Sequence, residues 1–238
     1  MAYKKKMDIT SYLVIGPENT KGRPVAGIIK DAVMAGFTCV QIRSKTANAK
    51  ELISLTAQAA EIIASAGKTE TVTLLVDDRL DVVLSALRQG VKVDGIHVGQ
   101  SDIPVDVCRE YLGNDLIIGV SARTDELADY LRSVDTSQID YFGIGPLHET
   151  STKSDCGRSS DGKIIIRSFN EIEYLVKLSP LPLVVGGGVK KSDLPQLAKT
   201  GVAGFFVVTA VTEADNPEES AKDLVNTWLH AKGVNHGE

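Results

Sequence analysis

LPLVVGGGVKKSDLPQLAKTGVAGFFVVTAV, Leu181 to Val211, sets two apolar runs around one amphipathic segment. Both runs, LPLVVGGG (181–188) and GFFVVTAV (204–211), are hydrophobic on both alternating faces, so each reads as a strand covered on two sides. Between them SDLPQLAKTG repeats its apolar residues at helical spacing and closes on Gly201, the residue type that caps helix C-termini. Strand, helix, strand in that order is the unit from which parallel sheets are built.

The same unit recurs outward from this stretch. Strands are expected at SYLVIG (11–16), CVQIRS (39–44), TVTLLVDD (71–78), DGIHVGQ (94–100), DLIIGVS (115–121) and DYFGIGPL (140–147). Helical periodicity fills the gaps in VAGIIKDAVMAG, ELISLTAQAAEIIASAG, LDVVLSALRQG and ELADYLRSV, and AKDLVNTWLHAKG supplies a last helix. Eight strands in a chain of this length predict an α/β fold, a single (β/α)8 TIM barrel. A doubly wound open sheet is the alternative. Against it, SYLVIGPENTKG carries no GxGxxG and runs into Pro24 where a phosphate-cradling helix would start.

The 238 residues are read as one domain, 1–238, with 1–10 and 234–238 as flexible tails. A hydrophobic content of 43% with 24% charged residues is enough for a real core, and no run approaches the ~18 apolar residues of a membrane span. MAYKKKMDIT has charges but no apolar stretch behind them, so export is not indicated and a cytoplasmic location is expected. Cys39, Cys108 and Cys156, odd in number and widely spaced, fit reduced thiols better than disulfides or a zinc site. A net charge of −5 argues against nucleic-acid binding, so basic groups gathered in one place must serve a small anion. The expected partners are small-molecule substrates, with no nucleic acid and no membrane; a homo-oligomer is left open.

Active sites of this fold lie at the C-terminal ends of the strands, and polar residues crowd there. Gln41, Arg43 and Lys45 follow the second strand, Asp77 and Asp78 the third, His97, Gln100 and Asp102 the fourth, Ser121 the fifth, Gly186, Gly187 and Gly188 the seventh, and Thr209 the eighth. QIRSK puts Gln41, Arg43 and Lys45 on one face of an extended segment, pointing inward, where a cation needs an anion: a bound ligand or a neighbouring acid. Asp78 and Asp102 form a sparse oxygen set suited to Mg2+, although Asp77 or Asp78 could equally cap the helix that begins RLDVV. His97 reads as a packed, hydrogen-bonded core residue. Three glycines ending the seventh strand would let a phosphate reach backbone N–H groups. After the sixth strand, GIGPLHETSTKSDCGRSSDGK (143–163) gathers Thr150, Ser151, Thr152, Lys153 and Arg158, a lid expected to close on an anionic substrate and exclude water. Two anion sites on one mouth suit chemistry that joins a phosphate-tagged molecule to one carrying a diphosphate leaving group, whose departure needs charge neutralisation more than a strong base.

With these residues assembled, the chain resembles the thiamine phosphate synthase (thiamine-phosphate pyrophosphorylase) family over roughly 11–228, through YLVIG, VQIRSK, LLVDDRLDVVL, DGIHVGQSDIP, IGVSA, DYFGIGPLHETSTK, PLVVGGGV and GFFVVTAV in order. The resemblance implies a Mg2+-assisted TIM-barrel transferase that condenses 4-amino-2-methyl-5-hydroxymethylpyrimidine diphosphate with 4-methyl-5-(2-phosphoethyl)thiazole by a dissociative route. It implies that Gln41, Arg43, Lys45, Asp77, Ser121 and Lys153 contact the pyrimidine diphosphate, with Arg43, Lys45, Ser121 and Lys153 as the catalytic groups. Asp78 and Asp102 would bind the metal, and Thr150, Thr152, Gly188, Val208 and Thr209 the thiazole phosphate. Three positions depart from the pattern: Asp77 replaces the usual Asn, Glu149 a frequent Pro, and Thr209 a Ser. A non-catalytic thiazole-phosphate-binding regulator and a thiazole tautomerase of the same barrel type are the alternatives; the tautomerase would be expected to carry a His near the position of Arg123.

Overall fold

The computed structural model describes residues 7–122, 125–149 and 164–234. Eight parallel strands follow one another, β1 Ser11–Ile15, β2 Cys39–Ile42, β3 Thr73–Asp77, β4 Gly95–Val98, β5 Ile117–Ser121, β6 Tyr141–Ile144, β7 Leu183–Val185 and β8 Gly204–Val207. Each pairs with the next, and β8 returns to β1 with Phe205 opposite Ser11 and Phe206 opposite Tyr12. That last pairing closes the barrel and removes the open-sheet alternative, which would leave two unpaired edges.

The outer ring comprises α1 Val25–Ala35, α2 Ala49–Ser65, α3 Leu80–Arg88, α4 Val105–Leu112, α5 Leu127–Ser133, α6 Phe169–Leu178, α7 Leu194–Lys199, the short α8 Thr209–Thr212 and α9 Pro217–Ala231. Local chemistry sets several boundaries. Asn48 Oδ1 accepts the Glu51 N–H at 3.0 Å while Glu51 Oε2 accepts the Asn48 N–H at 2.9 Å, a reciprocal cap that starts α2. At the other end of α1, Gly36 takes a left-handed φ of 106° and stops the helix. The expected eighth strand, 204–211, is corrected: it ends at Val207, and Thr209–Thr212 coil into α8. An apolar run of four residues reads alike in either state, because it is too short to show a period.

Two hydrophobic layers result. Between barrel and helices, Phe205 packs against Trp228 of α9 with ring centres 5.2 Å apart and against Phe37 at 6.3 Å. Trp228 is fully buried, and truncating it to Ala would cost about 3–5 kcal/mol. Inside the barrel, Ile9, Tyr12, Cys39, Leu75, Ile117, Tyr141 and Val184 fill the end at which the strands begin. Ile9 belongs to the stretch expected to be a loose tail. It is buried there, and the Asp8 N–H donates to Thr73 Oγ1, so residues 7–10 are seated against the barrel foot, which corrects that expectation. Residues 1–6 and 235–238 lie outside the described residues. Among the described residues no helix is long and apolar enough to cross a membrane, and the two described cysteines, Cys39 and Cys108, are buried free thiols.

Candidate active site

The plug leaves a cavity at the other end, where the strands finish. Its wall includes Gln41, Arg43, Asp77, His97 and Ser121 on one side and Gly188, Val208 and Thr209 on the other.

The QIRSK stretch serves this wall in three different ways. Gln41 is buried on β2 and donates from Nε2 to the Tyr12 hydroxyl at 2.8 Å. Arg43 lies just past the strand, with Nε 2.9 Å from Asp77 Oδ2; the two side chains are 13% and 2% exposed. The neighbouring acid that the sequence left open is therefore present, and the extra charge of Asp77 is paired. Lys45 does not continue the inward alternation: its side chain is half exposed, and its ammonium meets Asp78 Oδ2 at 2.5 Å. Burial works to lower the Lys45 pKa, but the hydrogen bond and charge of Asp78, with Asp77 behind, leave it above the usual lysine value.

What places Lys45 is Glu18, which the sequence did not single out. Its Oε1 accepts from Ser44 Oγ (2.5 Å), the Lys45 N–H (2.8 Å), the Thr46 N–H (3.2 Å) and Thr46 Oγ1 (3.1 Å). Partial burial raises the Glu18 pKa, yet these donors together hold it below the ordinary glutamate value. The approach of this segment to the β2 loop requires Gly16, where a Cβ would fall 1.8 Å from the Arg43 carbonyl oxygen.

Asp78 occupies the left-handed region at φ 61°, which Asp tolerates better than most residues. Its N–H donates to the His97 carbonyl at 2.8 Å. The helix-cap reading of Asp77 or Asp78 fails, because Arg79 is the residue that precedes α3 and no side chain caps it. Asp102 folds back so that Oδ2 accepts the Gly99 N–H at 2.8 Å. Burial, then the hydrogen bond and charge shared with Asp78, push the Asp102 carboxyl above its usual range. Two carboxylates therefore adjoin at the rim beside Lys45. Among the described residues no three His, Cys, Asp or Glu gather as a complete cage. A crowded carboxylate pair fits Mg2+, which takes one or two carboxylates and completes its shell with water and phosphate oxygens.

The three glycines after β7 each answer a steric demand. A Cβ on Gly186 would lie 1.9 Å from the Phe206 ring, and one on Gly187 2.4 Å from Pro146. Gly188 has a φ of 71°, and a Cβ there would meet His148 Cβ at 2.9 Å. Their number therefore does not by itself argue for phosphate, although Gly187 and Gly188 line the cavity. Val208 and Thr209 stand at the start of α8. His148 Nε2 contacts Asp193 Oδ2 at 2.9 Å and ties the chain after β6 to the loop after β7. Thr150, Thr152 and Lys153, with the rest of the expected lid to residue 163, lie outside the described residues, as does Arg123.

His97 is buried and hydrogen-bonded at both ring nitrogens, as its sequence context implies, through Nδ1 to the Tyr141 hydroxyl (2.8 Å) and Nε2 to Ser121 Oγ (3.0 Å). Tyr12 and Tyr141 were not anticipated. Their only sequence signal is a tyrosine two positions before another inward residue on β1 and β6, Val14 and Gly143.

A family model described as thiamine monophosphate synthase matches residues 11–211. A thiamine-phosphate synthase from Corynebacterium efficiens is 38% identical over 218 residues, 92% of this chain and 94% of its own. Another from Natronomonas pharaonis is 34% identical, with 92% and 94% covered. The solved thiamine phosphate pyrophosphorylase from Pyrococcus furiosus shares the fold with a TM-score of 0.75 at 24% identity, covering 94% of this chain and 96% of that one. A solved 3-hexulose-6-phosphate synthase also shares it, with a TM-score of 0.62 at 13% identity over 92% of this chain and 99% of that one. The barrel alone thus does not choose the chemistry.

Proposed function

We propose that this chain, which belongs to the thiamine monophosphate synthase family, is a transferase that condenses 4-amino-2-methyl-5-hydroxymethylpyrimidine diphosphate with 4-methyl-5-(2-phosphoethyl)thiazole. The products are thiamine phosphate and diphosphate. One observation carries the reading: the Arg43–Asp77 wall and the Gly188, Val208 and Thr209 wall face a single cavity, which would let two anionic substrates meet in one place.

The pyrimidine methylene carbon loses its oxygen-bound diphosphate, and the bond's electron pair leaves with it. The thiazole nitrogen then supplies the lone pair for the new carbon–nitrogen bond. That attack moves no proton, so the site needs cations at the leaving group more than it needs a base. Arg43 and Lys45 supply them, joined by Lys153. Asp78 and Asp102 would hold Mg2+, which neutralises charge on the diphosphate oxygens when bound. Ser121 and Gln41 orient the pyrimidine, while Thr150, Thr152, Gly188, Val208 and Thr209 hold the thiazole phosphate. The packed residues where the strands begin close that end of the barrel, which would limit access of bulk water to the reacting carbon. We place this activity in the cytoplasm, in keeping with the buried free thiols.

Mixing purified protein with both substrates and Mg2+ tests the proposal. Thiamine phosphate, read by fluorescence after oxidation, and inorganic pyrophosphate should appear in equal amounts. Thiazole phosphate binding with release of neither product would identify the regulator instead. Interconversion of thiazole tautomers alone would identify the tautomerase.

A further inference from the structure

Five side chains on five strands make one hydrogen-bonded line across the barrel, where plug meets cavity. Gln41 Nε2 lies 2.8 Å from the Tyr12 hydroxyl, which lies 2.9 Å from the Tyr141 hydroxyl. Tyr141 then reaches His97 Nδ1 at 2.8 Å, and His97 Nε2 reaches Ser121 Oγ at 3.0 Å. The line is built in: Tyr12 is 2% exposed and Tyr141 fully buried, and Gly119 makes room for the Tyr141 ring, which a Cβ there would strike at 2.1 Å. Burial holds both phenols well above their usual pKa, so neither ionises.

Counting protons gives the line a direction. An amide NH2 only donates, so the Tyr12 oxygen accepts from Gln41. The single Tyr12 proton then goes to the Tyr141 oxygen. Were it turned the other way, it would fall to the neighbouring Cys39 thiol, a weak acceptor, in a fully buried place. Tyr141 in turn donates to His97 Nδ1, which must carry no proton. The ring proton therefore sits on Nε2 and is donated to Ser121 Oγ, and the serine's own proton turns away from His97.

We propose that Tyr12, Tyr141 and His97 are positioning residues that fix the Nε2–H tautomer of His97 and thereby present Ser121 as a hydroxyl donor with an oxygen lone pair already engaged. The consequence for catalysis rests on the transferase reading above; the proton order does not. In a reaction that ionises a carbon–oxygen bond, a donor hydroxyl stabilises negative charge on the departing group. Engaging a lone pair also makes Ser121 a poorer trap for the carbocation, which the thiazole nitrogen must capture instead.

The test uses full-length protein labelled with 15N-histidine and long-range proton–nitrogen correlation without substrates, with His97 assigned by its loss in His97→Gln. Wild type should show a neutral His97 ring with Nε2 protonated and Nδ1 bare, and Tyr141→Phe should move population toward the other tautomer. A protonated Nδ1 in wild type, or an unchanged tautomer in Tyr141→Phe, overturns the proposal. Should Tyr141→Phe fail to fold, Tyr12→Phe carries the same expectation by interrupting the line upstream. In turnover, Tyr141→Phe should lower kcat by roughly ten-fold or more with little change in KM. His97→Gln, which restores an N–H donor, should recover part of what His97→Leu loses. A changed tautomer with unchanged kcat would sever the link to Ser121. Inactive wild type with the expected tautomer would instead count against the transferase reading alone.

Discussion

Arg43 Nε and Asp77 Oδ2 lie 2.9 Å apart, with the carboxylate almost sealed from water. The pair keeps a guanidinium charged and aimed into the cavity before any anion arrives, which a lone buried cation could not do cheaply. Under the proposed function, an incoming diphosphate would compete with Asp77 for the same guanidinium.

Replacing Asp77 by Asn should therefore act with opposite signs on folding and binding. Breaking the pair in the free protein is expected to cost about 1–3 kcal/mol, read from denaturant unfolding. The affinity for the pyrimidine diphosphate, read by calorimetry, should stay level or rise. Weaker binding would show that Asp77 itself touches the substrate favourably.

Glu18 gives a pH signature. Its pKa is depressed in the folded chain, because four hydrogen-bond donors outweigh its partial burial. A depressed carboxylate stabilises the fold fully above its unfolded value, ~4.3, and that contribution disappears as pH falls through the lower folded value. Wild type should accordingly exceed Glu18→Gln in stability at neutral pH, and the gap should close in acid. At neutral pH the variant should raise KM for the diphosphate substrate several-fold through loss of Lys45 placement. A gap that persists in strong acid would refute the account.

Asp102→Ala removes one of two adjoining rim carboxylates. The Mg2+ concentration for half-maximal turnover should rise at least roughly ten-fold. An unaltered magnesium titration would mean that Asp102 serves only the Gly99 turn.

Lys153→Ala tests the proposed role of that cation. Turnover should fall by roughly a hundred-fold or more, while thiazole phosphate binding changes little, if the cation acts on the leaving group as proposed. Equal losses in both would remove that role.

Gly186→Ala examines the barrel wall instead of the chemistry. Its added methyl would meet the Phe206 ring at 1.9 Å, so the variant should lose about 1–3 kcal/mol of stability. Gly27→Ala, in α1 with open space around it, should be tolerated and is the control. Equal melting of both proteins would contradict the packing described.

The residues along each strand determined a great deal. Two-sided apolar runs such as LVV in β7 and GFFV in β8, alternating with helical periods, dictate a parallel barrel, because side-chain burial repeats locally along the chain. The same local logic located the polar residues at the strand ends, Arg43, Asp77, Asp78, Asp102 and Ser121 among them. Tertiary structure alone decided their partners. Glu18 reaches Lys45 across 27 residues, and Tyr12 reaches Tyr141 across 129. Closing the barrel turns such distant positions into neighbours. A hydrogen bond depends on a donor and an acceptor coming within about 3 Å, a condition that no spacing along the chain encodes.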